Sequence, residues 1–136
     1  RFHCIHPSKL NKKCNSNDST KAIKKIINTN KLFGQWNDFV VNANWTPSIE
    51  KGFFKLWVNG KLVYHYIGRT AVPEDQITVQ FGIYRGAAQS SGDANHVIFY
   101  DEIRKAKSCD KLKLKKLGYN CEDLQNQKLE DIYSIK

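Results

Sequence analysis

Asn42, Asn44, Lys55, Trp57, Gln80, Tyr84 and Arg85 are the residues of this chain whose types and spacing could do chemistry. Asn42 and Asn44 lie two apart, as do Lys55 and Trp57, and Gln80 and Tyr84 lie four apart with Gly82 between them. In an extended chain successive side chains point to opposite faces, so each set shares one face. The groups are complementary. Amides bond hydroxyls, an indole ring stacks on the flat face of a sugar, and an ammonium group answers a carboxylate. Together they are what an acidic glycan would require of a binding surface. Tyr84 adds a titratable phenol. Its ordinary pKa of about 10 would have to be lowered by nearby positive charge for it to act as a base near neutrality. Lys55 is the candidate for that charge. Arg85 is adjacent to Tyr84 but should point to the opposite face unless the strand bulges.

The elements that must carry these residues are strands. Over Asp38–Trp45, Phe39, Val41, Ala43 and Trp45 alternate with Val40, Asn42 and Asn44, the period of a half-buried strand. Thr46-Pro47-Ser48 reads as a turn. In Gly52–Val58, Phe54, Leu56 and Val58 oppose Phe53, Lys55 and Trp57. Asn59-Gly60 is a two-residue hairpin signal, because both central positions of a type I′ turn need positive φ. Lys61–Ile67 returns as the partner strand. Gln76–Tyr84 and His96–Arg104 read as two more strands around a Gly/Ala/Ser loop. Five strands joined by hairpins and short loops argue for an all-β antiparallel sandwich. Phe39, Val41, Phe54, Leu56, Val79, Phe81 and Ile83 are its expected core. After Lys105 the chain reads as a cysteine-pinned segment and a short helix over about Glu122–Ile132.

Three segments, taken in order, resemble one family. They are Gly34-Gln35-Trp36-Asn37-Asp38-Phe39-Val40-Val41 running into Asn44-Trp45-Thr46-Pro47, then Gly52–Val63, then Val79-Gln80-Phe81-Gly82-Ile83-Tyr84-Arg85. From Gly34 to about Arg104 the chain is similar to the polysaccharide lyases of jelly-roll, concanavalin A-like fold, the alginate-, glucuronan- and heparin-lyase type. The resemblance implies a single jelly-roll domain over residues 1–136, the C-terminal part of a larger domain whose N-terminal strands lie upstream. Residues 105–136 would be a cysteine-pinned C-terminal extension. The face of Gln80, Gly82 and Tyr84 would line a concave groove, with Tyr84 as the catalytic acid/base and Asn42, Asn44, Lys55, Trp57, Gln80 and Arg85 binding substrate. In the family a Lys usually stands where Gln80 is, and a His on a neighbouring strand, often with Gln two residues before it, completes the site. No such Gln/His motif is present. His3, His6, His65 and His96 each read more simply as structural. The reaction implied is β-elimination on a uronic acid. The alternative is a non-catalytic carbohydrate-binding or adhesive sandwich that keeps the groove.

Composition bounds these readings. The formal net charge is +9, which favours an anionic partner. The excess lies in the flanks: eight Lys or Arg face one acid over 1–34, five face seven over 35–103, and nine face five over 104–136. Solvated flanking lysines explain this equally well. A nucleic-acid partner ranks last, because no nucleic-acid-binding motif is present and the aromatics alternate with core positions rather than with basic runs. No apolar run approaches the roughly 20 residues of a membrane span. The four cysteines suggest an oxidising, secreted or periplasmic setting, with Cys4–Cys14 and Cys109–Cys121 the simplest pairing. Reduced cysteines and a metal site are the competing readings, although neither pair has CxxC spacing. No cofactor is expected.

Overall fold

Asn59 and Gly60 take φ of 52° and 76° in the computed structural model of the chain, the left-handed pair that a tight hairpin demands. The structure describes residue 27 and residues 29–73, 76–82, 97–129 and 133–134. The turn joins β2 (Phe53–Val58) to β3 (Lys61–Ile67), antiparallel. β1 (Phe39–Asn44) pairs antiparallel with β2, and a short β4 (Tyr133–Ser134) runs parallel to β3, giving the order β1-β2-β3-β4. The described residues are thus mostly β, with a three-stranded antiparallel sheet at their centre, as the alternation in Asp38–Ile67 implies.

One irregularity matters for function. Leu56 pairs with Tyr64 but Trp57 pairs with Leu62, so Val63 is an extra residue on β3. A bulge of this kind changes the phase of the strand. Leu62 and His65 therefore both lie on the face of Trp57 and Lys55, although their sequence parity is opposite.

That face is covered at one end by the chain after Cys109. Trp57, Leu62, Leu114 and Leu124 form a buried cluster, with Val40, Leu112, Leu117, Tyr119 and Leu129 packed around it. The covering segment is built from two 3-10 turns, Asp110–Leu112 and Leu114–Leu117, and one short helix, α1 (Cys121–Asn126). Left-handed residues at Lys113 and Gly118 reverse the chain between them. The Asn120 side chain accepts a hydrogen bond from the Glu122 amide, and two acidic residues occupy the first turn of α1, both favourable at a helix start. The helix ends at Asn126, short of the expected Ile132. The expected Cys109–Cys121 disulfide is present. Cys4 and Cys14 lie outside the described residues.

Polar contacts fix this cap to the sheet. Trp57 Nε1 donates to the Leu124 carbonyl at 3.0 Å. Gln127 donates to the Gly60 carbonyl at 2.8 Å and accepts from the Leu62 amide at 2.7 Å. Tyr119 donates to Asp38 Oδ2 at 2.6 Å. That bond, then burial and the carboxylate charge, raise the Tyr119 pKa above its ordinary 10. Arg104 donates to the carbonyls of Leu112 and Lys113, at 2.8 and 3.0 Å, and pairs with Glu102.

The opposite face departs from expectation. Phe54 is buried there, with the rings of Trp45 and Tyr64 beside it. Phe39 and Val41, however, are exposed, and Val79 and Phe81 are 71% and 61% exposed. No strand forms over 76–82 or 97–104. Their alternation reads as strand, but a sheet face is dry only when a second layer packs on it. Among the described residues these segments contact each other, through Phe81 and Tyr100 at 5.4 Å between ring centroids. Ile83 lies outside the described residues.

Gly60 offers a direct check on the cap's position. A Cβ there would lie 2.7 Å from Tyr119 Cε1, and the backbone is left-handed. Gly60→Ala should cost about 1–2 kcal/mol from backbone strain alone, and more if the Tyr119 ring is displaced from Asp38. A urea midpoint unchanged from wild type would mean that Tyr119 does not sit over the hairpin.

Candidate functional site

The register brings three polar side chains into one row across the sheet. Asn42 on β1 pairs with Lys55 on β2, and Lys55 pairs with His65 on β3. Directly opposed residues on one sheet face hold their Cβ atoms roughly 4.5–5.5 Å apart, within reach of one another's side chains. The row lies on the half of the face that the cap leaves open. It lines a concavity of about 330 Å³ together with Glu50, Lys51, Gly52, Phe53 and Ile67. Phe53 and Ile67 supply an apolar end, while Asn42, Lys51, Lys55 and His65 supply donors.

Gly52 shapes that end. A Cβ on it would come within 1.9 Å of the Gly68 carbonyl oxygen. Only glycine allows this approach, and the Gly68 amide in turn donates to the Gly52 carbonyl at 2.9 Å. The side chain of Asn44 turns to the same loop and donates to the Lys51 carbonyl at 2.8 Å. Asn44 thus holds the turn between β1 and β2 beside the concavity.

His65 has a pKa below its ordinary 6.5, first because burial disfavours the imidazolium and second because the Lys55 ammonium repels it. The imidazole is accordingly neutral at physiological pH. A neutral imidazole beside an ammonium group is a proton acceptor next to a binder of carboxylates. Sequence parity hides this pairing, because the bulge at Val63 is what turns His65 toward Lys55.

The other expected site residues fare differently. Trp57 shares the face of Lys55 but is 2% exposed, and its indole nitrogen is engaged by Leu124. Its ring has no free surface on which a sugar could stack. This corrects the expectation of a stacking platform: the cap, which alternation within β2 cannot reveal, occupies that space. Gln80 is exposed in 76–82, outside the sheet. Tyr84 and Arg85 lie outside the described residues. Among those described, no group of three or more His, Cys, Asp or Glu side chains could hold a metal ion, and no helix is long and apolar enough to cross a membrane.

A second concavity of about 320 Å³ adjoins the first, between β1 and the cap. Asn42 lines both.

The family model described as Polysaccharide lyase matches residues 5–104, which include all three strands of the antiparallel sheet and the whole Asn42–Lys55–His65 row. The cap from Cys109 onward lies beyond the match. No curated protein and no solved structure matches the chain significantly.

Proposed function

Because the chain belongs to the polysaccharide lyase family, we propose that it cleaves an acidic, uronic-acid-containing polysaccharide by β-elimination on the open half of the sheet. The observation that carries this reading is the Asn42–Lys55–His65 row. Lys55 pairs with the uronate carboxylate and draws charge from it, which acidifies the proton on C5. Neutral His65 takes that proton. The electron pair forms the C4–C5 double bond as the C4–O4 bond breaks, and Tyr84 protonates the departing oxygen. A phenol with an ordinary pKa near 10 is protonated at neutrality and suits the acid's role. Asn42 and Lys51 hold hydroxyls, and Gln80 and Arg85 are assigned to the chain further along. The sheet is read as part of a jelly-roll sandwich. The Cys109–Cys121 disulfide supports a secreted or periplasmic protein.

Elimination leaves an unsaturated product that absorbs in the ultraviolet. Uronic-acid polymers offered to the protein should yield it. If none does while binding persists and depends on Lys55, the protein is a carbohydrate-binding module of the same ancestry and not an enzyme.

The histidine gives a test that needs no substrate. Its NMR titration midpoint should fall below 6.5, and Lys55→Met should raise that midpoint part of the way back, since burial is the larger cause. The folded protein then takes up fewer protons than the unfolded chain once the pH drops below 6.5. His65 therefore contributes stability that is present above 6.5 and lost as pH falls through its lowered value. The acid limb of kcat/KM should follow the same midpoint. A midpoint at or above 6.5, or one indifferent to Lys55→Met, would remove His65 from the base's role.

A further inference from the structure

We infer that the cap after residue 104 builds an additional sugar subsite, next to the catalytic row and selective for the adjacent unit of the same acidic chain. The inference rests on the lyase reading above and extends it. Its first support is continuity. Asn42 lines both concavities, so the two meet at the edge strand β1. From Asn42 to Val40, two residues along β1, is about 7 Å, a step comparable to one sugar unit of a polymer.

The second support is chemistry. Val40, Val41 and Leu112 supply apolar lining, and Asn42, Lys107, Ser108 and Gln125 supply polar groups. A lining shared between apolar and polar groups can hold a pyranose ring, and about 320 Å³ lies at the small end of the roughly 300–1,000 Å³ range of ligand clefts. Asp110 also lines the space, so the lining does not simply attract any anion. The surrounding segment does favour a negative chain. Lys105, Lys107, Lys111, Lys113, Lys115 and Lys116 are all exposed, against the one acid Asp110 over 105–118.

The third support is that the cap is ordered. It is closed by the disulfide, held by Trp57 and Gln127, and strapped by Arg104. A wall so fixed can read a ligand. Because it lies beyond the family match, this subsite is a property of the chain's own C-terminal segment.

The test is a length series of saturated oligouronates, from dimer to hexamer, with affinity measured on the full chain for wild type, Lys107→Ala, Gln125→Ala and Lys115→Ala. Lys115 is exposed on the same cap but does not line the space. In the wild type affinity should rise stepwise with length. Lys107→Ala and Gln125→Ala should each remove one step, a roughly threefold to tenfold loss for the longer oligomers only. Lys115→Ala should keep every step, with at most a small loss shared by all lengths. Thermal melts equal to wild type show that the variants fold. If wild type binds but Lys107→Ala and Gln125→Ala keep every step, the subsite is overturned and the lyase reading stands. If Lys115→Ala weakens binding as much as Lys107→Ala, diffuse charge replaces the subsite. If wild type neither binds nor cleaves any uronate, the lyase reading itself fails and the subsite with it.

Discussion

Replacing Trp57 with alanine is expected to remove about 3–5 kcal/mol of stability, before any effect on a ligand is considered. The ring is 2% exposed and packs on Leu62, Leu114 and Leu124. Truncation leaves a cavity that the sheet and the disulfide-closed cap cannot easily collapse into. The Leu124 carbonyl also loses its donor, for about 1–3 kcal/mol if it stays buried and unpaired. Domains of this size are stable by only about 5–15 kcal/mol, so the variant should unfold at much lower urea concentration. Trp57→Phe separates the two terms, since it keeps most of the volume and removes the N–H. If Trp57→Ala is as stable as wild type but binds oligosaccharide poorly, the indole faces a ligand and the cap does not pack on it.

The other large effect is on turnover. Tyr84→Phe deletes only the hydroxyl, and His65→Gln keeps a polar side chain but removes the titrating nitrogen. Each should lower kcat by about 10²–10⁴, the usual worth of a positioned acid or base, with oligosaccharide affinity close to wild type. The double variant should be scarcely slower than the worse single one, because an acid and a base serving one elimination act as a unit. Lys55→Met should differ in kind, weakening binding of the carboxylate as well as slowing the reaction. Full activity in His65→Gln would hand the base's role to another group, with Tyr84 in both roles the first alternative. Full activity in Tyr84→Phe would remove the phenol from the mechanism.

How much of this was legible in the sequence follows from the range of the interactions. The alternation in Phe39–Asn44 and Phe53–Val58 and the Asn59-Gly60 turn are local signals, and the sheet follows them. So does the pairing of Asn42 with Lys55. The Cys109–Cys121 bond closes a short loop and is legible for the same reason. Trp57 shows the limit. Its parity is correct, but parity cannot say whether a face meets solvent, ligand or another segment. The segment that meets it has no sustained helical or strand period, because Leu112, Leu114 and Leu117 sit on 3-10 turns broken by left-handed Lys113 and Gly118, and Leu124 sits on a helix of only six residues. His65 was hidden differently: one extra residue at Val63 reverses the phase of everything after it. Gln76–Gly82 fails in the reverse sense, with a clear strand pattern and no neighbour to pair with among the described residues.

The Cys109–Cys121 bond joins the cap to itself and not to the sheet. Closing a loop with a sequence separation of 12 removes unfolded-state freedom equivalent to about 3 kcal/mol, and that stabilisation acts on the cap. Reducing the bond should therefore loosen the wall over Trp57 before it loosens the hairpin, a difference that amide exchange under native conditions would read.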